Sequence, residues 1–289
     1  MLINRLSMGF VGGFIARYAI IGLGKIGTAI AKSLIKSGVD PGSISGSVRR
    51  VESIARVRRE LPGVFVSNNN AEVVKDADVV ILAVKPYQVP DALMPIRDVL
   101  TGDQLLISVV AGVTTGIIED LVPSKVVRAM PNIGIVIERG VTAVAPGSRV
   151  SEDDVRRACE IFSSMGRCVV VNERYMDAIT AISGSGPAFI ALILEALWEA
   201  GLLLGIPTDI SWELAIGTLE TSAELLRVKR PWEVVEEVTT PGGVTIRGIK
   251  VAEESGLRGL IMRMIEETAR RGREISQEIE GSIRSKVIG

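Results

Sequence analysis

The residues "RYAIIGLGKIGTAIAKSLIKSG", numbers 17–38, decide the fold of the first half of this chain. A short apolar strand runs into a turn that contains Gly22, Gly24 and Gly27, and a helix follows that ends at Gly38. Glycines recur in tight strand-to-helix turns for packing reasons alone, so the pattern G-x-G-x-x-G is by itself a weak signal. Here it follows a strand, opens a helix and belongs to the first strand–helix–strand unit, which favours a dinucleotide site.

Each glycine of this turn has a distinct predicted role. Gly22 allows the turn itself, Gly24 lets a pyrophosphate approach the backbone, and Gly27 lets the helix pack on the strand. The free N–H groups at the N-terminus of the following helix then face the phosphates. We therefore expect a dinucleotide to bind over this turn.

The end of the second predicted strand, "SVRR" at residues 47–50, bears on which dinucleotide is bound. A protein that prefers NAD holds an Asp or a Glu at this point against the ribose hydroxyls. Arg49 and Arg50 lie here instead, and a guanidinium forms paired, charge-assisted hydrogen bonds with a 2′-phosphate. NADPH is the expected cofactor, with NADH used at lower efficiency. The alternative is that both arginines are solvated surface charges.

Strand and helix signals alternate from Tyr18 to about residue 150. Apolar strands buried on both faces, with helices between them, predict a doubly wound parallel sheet of Rossmann type. The strand signals stop from about Ser151, and after Val171 the sequence predicts long helices that are broken at prolines. The expected fold is therefore α/β followed by all-α.

Three segments are predicted from this change of pattern. Residues 1–16 form an N-terminal extension, because Arg17 interrupts their apolar run, and Met8 is a candidate for the real start of the protein. Residues 17–170 form the dinucleotide-binding domain. Residues 171–289 form a helical domain.

Composition excludes several classes of function. The 33 Lys and Arg residues balance 34 Asp and Glu residues, so no basic field is available to bind nucleic acid. The chain has no histidine, which argues against a metal site and against a Ser-His-Asp triad. Cys159 and Cys168 are the only thiols, too few for a disulfide framework. We expect a cytoplasmic protein that acts on a small molecule and holds no metal.

The apolar stretch from Ala188 to Ile206 approaches the length that spans a membrane. Glu195 and Glu199 interrupt it, and each charge is costly near the centre of a bilayer. A helix that is apolar nearly all round, here from about Tyr175 to Leu204, is buried against something. We expect a partner subunit and no membrane.

Six motifs resemble those of the pyrroline-5-carboxylate reductases in order and spacing. They are "IGLGKIGTAIA", "LAVKP", "AGVT", "RAMPN", "DAITAISGSGPAF" and "TPGGVTIRGI", and the resemblance extends from Tyr18 to about residue 280. Members of this family reduce 1-pyrroline-5-carboxylate to L-proline with NADPH. The chain departs from the family at Ile133-Gly134, where Thr-Pro is usual, and in its N-terminal extension.

The resemblance implies a set of site residues. The implied cofactor contacts lie where successive strands end: Ile21, Gly22, Leu23, Gly24, Lys25, Ile26, Arg49, Asn70, Ala83, Val84, Lys85, Pro86 and Ala111. The implied substrate contacts are Glu173, Thr240, Gly242, Gly243, Val244 and Thr245, of which Thr245 is the implied catalytic residue. "LAVKP" is also consistent with a buried strand that a proline ends, and both interpretations can hold together.

The resemblance also gives the small residues Ser183 to Pro187 a role. In the family this stretch begins a long helix that packs against the dimer partner, and dimers form larger rings. Gly184 and Gly186 would permit close approach of two backbones, while Ser183 and Ser185 would satisfy the exposed helix end. The serines are as consistent with capping and packing as with contact to a substrate.

The chemistry of a cyclic imine suits a chain without histidine. A protonated imine accepts a hydride directly, so the site needs only to anchor the carboxylate and align the ring carbon. After Pro241, two glycines expose N–H groups at the start of a helix, where an anion can bind. The Thr245 hydroxyl is then placed to hydrogen-bond the ring nitrogen. Alternatively, the glycines form an ordinary turn between helices, and Thr245 only caps the second one.

Two other classes of function remain open. A β-hydroxyacid dehydrogenase or ketopantoate-type reductase would need a catalytic lysine on the first long helix of the second domain, and "DAITAISGSGPAFIALILEAL" contains none. A non-catalytic sensor that binds NADP would need no catalytic group.

Overall fold

The structure is a computed structural model that describes residues 16–288. All but the last residue of the predicted N-terminal extension therefore lies outside the described residues. The chain forms two compact units. The first comprises the chain up to Asp177 together with the segment from Arg273 onward, and the second comprises Ala178–Gly272.

The first unit is built on a sheet of eight described strands in the order β3-β2-β1-β4-β5-β6-β7-β8. The strands are β1 Tyr18–Ile21, β2 Ile44–Ser47, β3 Phe65–Ser67, β4 Val79–Leu82, β5 Leu105–Ser108, β6 Lys125–Pro131, β7 Gly140–Pro146 and β8 Gly166–Val170. Neighbouring strands are parallel except β6 and β7, which pair antiparallel. The order of the first six strands is that of the Rossmann fold.

Helices follow the strands as the sequence predicts. They are α1 Lys25–Lys36, α2 Glu52–Glu60, α3 Asn70–Val74, α4 Val89–Leu93, α5 Thr115–Leu121 and α6 Glu152–Ser163. The apolar side chains of the sheet form two separate cores, because alternate residues of a strand point to opposite faces. Ile20 and Ile81 belong to one core, and Ile21 and Leu82 belong to the other.

One expectation about this unit is wrong. The strand signals were expected to stop from about Ser151, but β8 lies beyond that point and pairs parallel with β7. This strand lies at the edge of the sheet, with Arg167, Val169 and Val170 exposed. Its apolar run, residues 168–171, is only four residues long, and so short a run does not distinguish a strand from a segment of helix.

The second unit is helical. Its helices are α8 Gly186–Leu203, α9 Thr208–Leu225, α10 Pro231–Val238, α11 Val244–Glu254 and the first part of α12 Leu257–Ile288, whose last part belongs to the first unit. Helices α8 and α9 pack where Gly201 meets Ser211, whose hydroxyl donates to the Trp198 carbonyl at 2.7 Å.

The segment before α8 differs from the single helix predicted from about Tyr175. It consists of a 3₁₀ turn at Glu173–Tyr175, the short helix α7 Met176–Ile179 and a π-helical segment at Thr180–Gly184. The Ser185 side chain makes no capping hydrogen bond, and its N–H donates to the Thr180 carbonyl at 2.9 Å. The expectation that Ser185 caps a helix end is wrong, because helical backbone runs through this position.

The helical unit leaves much apolar surface uncovered. On α8, Leu192 is 57% exposed and Leu197 is 49% exposed, and within this helix only Leu194 and Gly201 are buried. By length and composition, the stretch Glu173–Leu203 could also cross a membrane. An apolar surface of this extent marks a contact with something outside the single chain.

Candidate active site

The glycine turn lies between β1 and α1, where the sequence predicts it. Gly22 has a φ of +99°, which favours glycine, and a Cβ there would lie 2.8 Å from the Ala83 carbonyl oxygen. A Cβ on Gly27 would collide with the Gly22 carbonyl oxygen. A Cβ on Gly24 would meet no described atom within 4 Å. Packing within the protein therefore explains Gly22 and Gly27, whereas the space beside Gly24 is open.

The start of α1 fits the phosphates of a dinucleotide. Gly24 is its N-cap, no described side chain caps the helix, and its first turn carries no acidic residue. Its first N–H groups are consequently available to an anion, and the helix dipole favours one. Three hydrogen bonds hold the backbone of the turn: the Leu23 N–H donates to the Ser47 carbonyl at 2.8 Å, the Gly24 N–H to the Gly22 carbonyl at 2.9 Å and the Gly22 N–H to the Ser47 hydroxyl at 3.3 Å.

Arg49 and Arg50 follow the end of β2 and are exposed. Neither guanidinium bonds to a residue that the structure describes. No acidic residue occupies the segment from Ser47 to Val51. Both cations are thus available to a phosphate at the end of the sheet where β2 lies.

The strand ends at which the resemblance implies cofactor contacts lie level with one another. Ile21, Ser47, Leu82 and Ser108 are the last residues of β1, β2, β4 and β5, and the pairing places them in one row across the sheet. In such sheets ligands bind outside the carboxyl ends, where the order of connections reverses, here between β1 and β4. The first unit therefore brings together the glycine turn, Ala83–Pro86 and Ala111.

Several of these residues also have structural contacts. The Ala83 N–H donates to the Ile21 carbonyl at 2.8 Å, and the Lys85 N–H donates to the Gln88 side chain at 3.1 Å. The Asn70 amide donates to the Ala92 carbonyl at 3.1 Å. Pro86 ends the extended segment and begins a 3₁₀ turn, Pro86–Gln88. Both interpretations of "LAVKP" are consistent with this geometry.

Glu173, an implied substrate contact, lies in a network within the first unit. Its Oε1 accepts from the Thr115 N–H at 2.8 Å, and its Oε2 accepts from the Thr115 hydroxyl at 2.7 Å. Arg128 Nη1 lies 3.5 Å from Oε1, and Arg128 Nη2 lies 3.9 Å from Asp177 Oδ1. Both oxygens of Glu173 are therefore engaged within the protein.

Arg128 and Thr115 are site-adjacent residues that the sequence reasoning missed. Arg128 is 3% exposed and lies opposite Ser108, in the row of strand ends. A charged residue inside the apolar strand "KVVRAMPN" was the available signal, because a buried arginine requires a partner. Its partners lie 45 and 49 residues further along the chain, and no sequence pattern links them.

The loop at Ile133-Gly134, where the chain departs from the family, forms a 3₁₀ helix, Ile133–Ile137. The Asn132 side chain accepts from the N–H of Gly134 and from the N–H of Val141, both at 3.1 Å. A proline at position 134 could not make the first of these bonds. This substitution therefore adds a hydrogen bond that holds Asn132.

In the second unit, the remaining implied substrate contacts form the turn before α11. Gly242 has a φ of +71°, and a Cβ on Gly243 would collide with the Thr240 hydroxyl. Gly243 is the N-cap of α11, without a capping side chain among the described residues and without an acid in the first turn. The Thr245 hydroxyl makes no hydrogen bond with a described residue. The Gly243 N–H donates to the Thr240 carbonyl at 2.9 Å, so the turn offers the Thr245 hydroxyl and the N–H groups at the start of α11, from Val244 onward.

Fold and site together define a dinucleotide-binding oxidoreductase with a separate helical unit. A family model for NADP oxidoreductases described as coenzyme F420-dependent matches residues 17–112. A second, for pyrroline-5-carboxylate reductase dimerisation, matches residues 173–275.

Relatives with curated names agree with these matches. The pyrroline-5-carboxylate reductase of Methanosarcina acetivorans is 35% identical over 91% of this chain and 98% of its own length. That of Glycine max is 36% identical over 89% of this chain and 94% of its own length.

Solved structures give the same family. A pyrroline-5-carboxylate reductase from Coxiella burnetii, 33% identical, superposes with a TM-score of 0.83 over 91% of this chain and 99% of its own. The pyrroline carboxylate reductase of Plasmodium falciparum, solved with NADP bound, is 25% identical with a TM-score of 0.79 over 90% of this chain and 98% of its own. The chain belongs to the pyrroline-5-carboxylate reductase family.

Proposed function

We propose that this protein reduces 1-pyrroline-5-carboxylate to L-proline with NADPH, the last step of proline biosynthesis. The observation that carries the proposal is the turn before α11, which combines an uncapped helix start with the unbonded Thr245 hydroxyl. The family supports it, since relatives at 31–38% identity bear the name of this activity. The chain's glycine turn and its free Arg49 and Arg50 fit the cofactor.

Within the first unit, the protein's task is to bind and orient the cofactor. NADPH, when bound, supplies the hydride that reduces the imine carbon. The N–H groups at the start of α1 would hold the pyrophosphate, and the open space at Gly24 lets it approach the backbone. Arg49 would pair with the 2′-phosphate, with NADH used less efficiently because it lacks that group.

Within the second unit, the turn before α11 would hold the substrate. The predicted set of donors runs from Gly243 to Thr245, but the Gly243 N–H already donates to the Thr240 carbonyl at 2.9 Å. The N–H groups of Val244 and Thr245 would therefore bind the ring carboxylate, with help from the Thr240 hydroxyl. The Thr245 hydroxyl would hydrogen-bond the ring nitrogen as its charge changes during hydride arrival, an interaction that strengthens in the transition state. The predicted contact of Glu173 with the substrate would need an additional hydrogen bond to its carboxylate, because both oxygens already accept from Thr115.

The assembly is a homo-oligomer built through the helical unit. The dimerisation model covers residues 173–275, which include the apolar face of α8. We propose that this face lies against a second copy of the chain, and that dimers form a larger ring. We also propose the division into a cofactor domain at 17–170 and a dimerisation and substrate domain at 171–289, and a cytoplasmic location.

The test is the oxidation of NADPH with three substrates in parallel. We expect rapid oxidation with 1-pyrroline-5-carboxylate and L-proline as the product, and none with ketopantoate or with the oxidised form of a β-hydroxyacid. Faster turnover of either of the latter would identify the rival reductase. Tight NADPH binding without turnover of any substrate would identify the sensor.

A further inference from the structure

Thr115 is the first residue of α5 and the last of the loop that follows β5. The loop begins after Ser108, contains Ala111 and includes Gly112, whose φ is +73°. Thr114 is the N-cap of α5, but its side chain makes no capping bond to the helix. The free N–H of Thr115 is satisfied instead by Glu173, so a carboxylate 58 residues away caps this helix.

The same loop is held from a second side. The Thr114 hydroxyl donates to Glu280 at 2.8 Å. A Cβ on Gly112 would lie 3.2 Å from the Ser276 hydroxyl oxygen, so the backbone of the loop lies close against the last part of α12. Ser276 in turn donates to Asp177 at 3.4 Å. The loop therefore has fixed contacts at its middle and at its end.

Arg128 ties this arrangement to the sheet. It lies opposite Ser108, the residue from which the loop departs, and its side chain is 4% exposed between Glu173 and Asp177. A guanidinium so buried requires its carboxylates, and in turn it restricts where Glu173 can lie. Contacts with the neighbouring strands β5 and β6 therefore hold both the beginning and the end of the loop in place.

The loop lies where the reacting end of the cofactor is expected. Arg49 follows β2, and a 2′-phosphate bound there places the adenosine half on that side of β1. The other half must extend across β1 toward β4 and β5, because the pyrophosphate lies at the start of α1. The loop that follows β5, with Ala111, is the next backbone in that direction.

We propose that Glu173 is a positioning residue, which acts through Thr115 to fix the loop Ala111–Thr115 and with it the nicotinamide end of the cofactor. The proposal rests on the proposed function for the identity of the cofactor. It replaces a direct contact of Glu173 with the substrate by an indirect role. A displacement of a reacting group by 1 Å costs about a hundred-fold in rate, so a loop that loses this anchor affects hydride transfer.

The test is a double-mutant cycle on full-length protein with Thr115→Val and Glu173→Gln. If Glu173 acts through Thr115, each single variant lowers kcat by about ten-fold, the double variant lowers it no further, and KM for the imine stays within about two-fold. Thr115→Ser, which keeps the hydroxyl, restores turnover. Additive losses, or a raised KM for the imine in Glu173→Gln at unchanged kcat, would overturn the proposal in favour of a substrate contact.

A matched control lies at the other end of α5. Glu119 accepts from the N–H of Ser148 at 2.8 Å and from its hydroxyl at 2.9 Å, the same pair of bonds that Glu173 accepts from Thr115. Glu119→Gln should lower the melting temperature less than Glu173→Gln, because only Glu173 also pairs with the buried Arg128, and it should leave kcat unchanged. Equal losses of kcat in the two variants would reduce Glu173 to a stabilising role and would overturn the proposal.

A binding measurement separates this proposal from the proposed function. NADPH is titrated by fluorescence without substrate, and we expect binding about three- to ten-fold weaker in Thr115→Val and Glu173→Gln, with no further weakening in the double variant. This result stands even if the imine is not the substrate. Unchanged NADPH affinity in both variants would overturn the positioning role, whatever the activity.

Discussion

The two units of this chain differ in how completely they bury their own surface. In the sheet unit, β1 and β4 are wholly buried, and two aliphatic cores cover the sheet on its two faces. In the helical unit, α8 leaves Leu192 and Leu197 about half exposed. The sheet unit is therefore complete within one chain, whereas the helical unit needs another surface.

A second contrast, between helix starts, does not follow the division into units, because the sheet unit contains both kinds. Helix α6 begins with a capping box of Ser151 and Asp154, and α5 is capped by Glu173. Helices α1 and α11 begin at glycines, and no described side chain caps them. A helix start that the protein leaves open is one that a ligand can fill, and these two lie where the resemblance implies the cofactor and the substrate.

A charge on the uncovered face of α8 should have the largest effect. Leu192→Asp places a carboxylate in an interface that excludes water, which costs several kcal/mol and weakens self-association by more than about a hundred-fold. Sedimentation velocity should show monomers at micromolar concentration, with turnover lost. Met94, which is 51% exposed in the sheet unit, supplies the control, since Met94→Asp should leave the assembly intact. A wild-type protein that is already a monodisperse monomer would contradict the account.

Two glycines of one turn should respond in opposite ways. Gly27→Ala forces a Cβ against the Gly22 carbonyl and should destabilise the sheet unit by about 2–4 kcal/mol, measured by urea unfolding. Gly24→Ala meets no described atom and has a φ of −84°, so stability should not fall. NADPH affinity should nevertheless fall about ten- to a hundred-fold in Gly24→Ala. Unchanged affinity there would remove the pyrophosphate from this turn.

Thr245→Val removes a hydroxyl and keeps the shape of the side chain. Loss of a hydrogen bond that strengthens in the transition state should lower kcat by about ten- to a hundred-fold. The melting temperature should not change, because the hydroxyl bonds to no described residue. Thr245→Ser should retain turnover. A Val variant with normal turnover would eliminate the catalytic role of Thr245.

The cofactor preference should depend on Arg49. Arg49→Asp replaces a cation with a group that repels a 2′-phosphate, and the ratio of kcat/KM for NADPH to that for NADH should fall by about ten-fold or more. Steady-state assays with both cofactors measure this ratio. Equal use of the two cofactors by the wild type would show that the arginines are only surface charges.

Loss of the Asp154 carboxylate at the start of α6 should lower the stability of the protein and leave its turnover unchanged. Burial by itself would raise the pKa of Asp154, but hydrogen bonds from Ser151 and the Lys125 ammonium outweigh it and lower the pKa below its usual value. Its contribution is therefore present at neutral pH and is lost as the pH falls below about 4. Asp154→Asn should lower the free energy of unfolding by about 1–3 kcal/mol at pH 7, with kcat unchanged. The free energy of unfolding of the variant should also depend less on pH in the acid range. If the stability of the variant depends on acid pH as that of the wild type does, this carboxylate does not contribute to stability.

The sequence predicts the parts of the molecule that depend on local pattern. The strand-to-helix turn at Gly22 and the change from mixed to helical structure follow from short-range spacing, and the structure agrees with both. The edge strand β8 was missed because its apolar run, residues 168–171, is too short to distinguish a strand from a segment of helix. The bond between Glu173 and Thr115 was missed because it joins segments 58 residues apart, and only the folded chain brings them together beside the buried Arg128.

The most direct test of the central claim follows the hydride itself. The enzyme is given 1-pyrroline-5-carboxylate and NADPH that carries deuterium at the transferred position, and the product is analysed by mass spectrometry. The account predicts L-proline with one deuterium at C5, formed in equal amount to the NADPH oxidised. Bound NADPH that remains unoxidised, or oxidation without deuterium in proline, would contradict it.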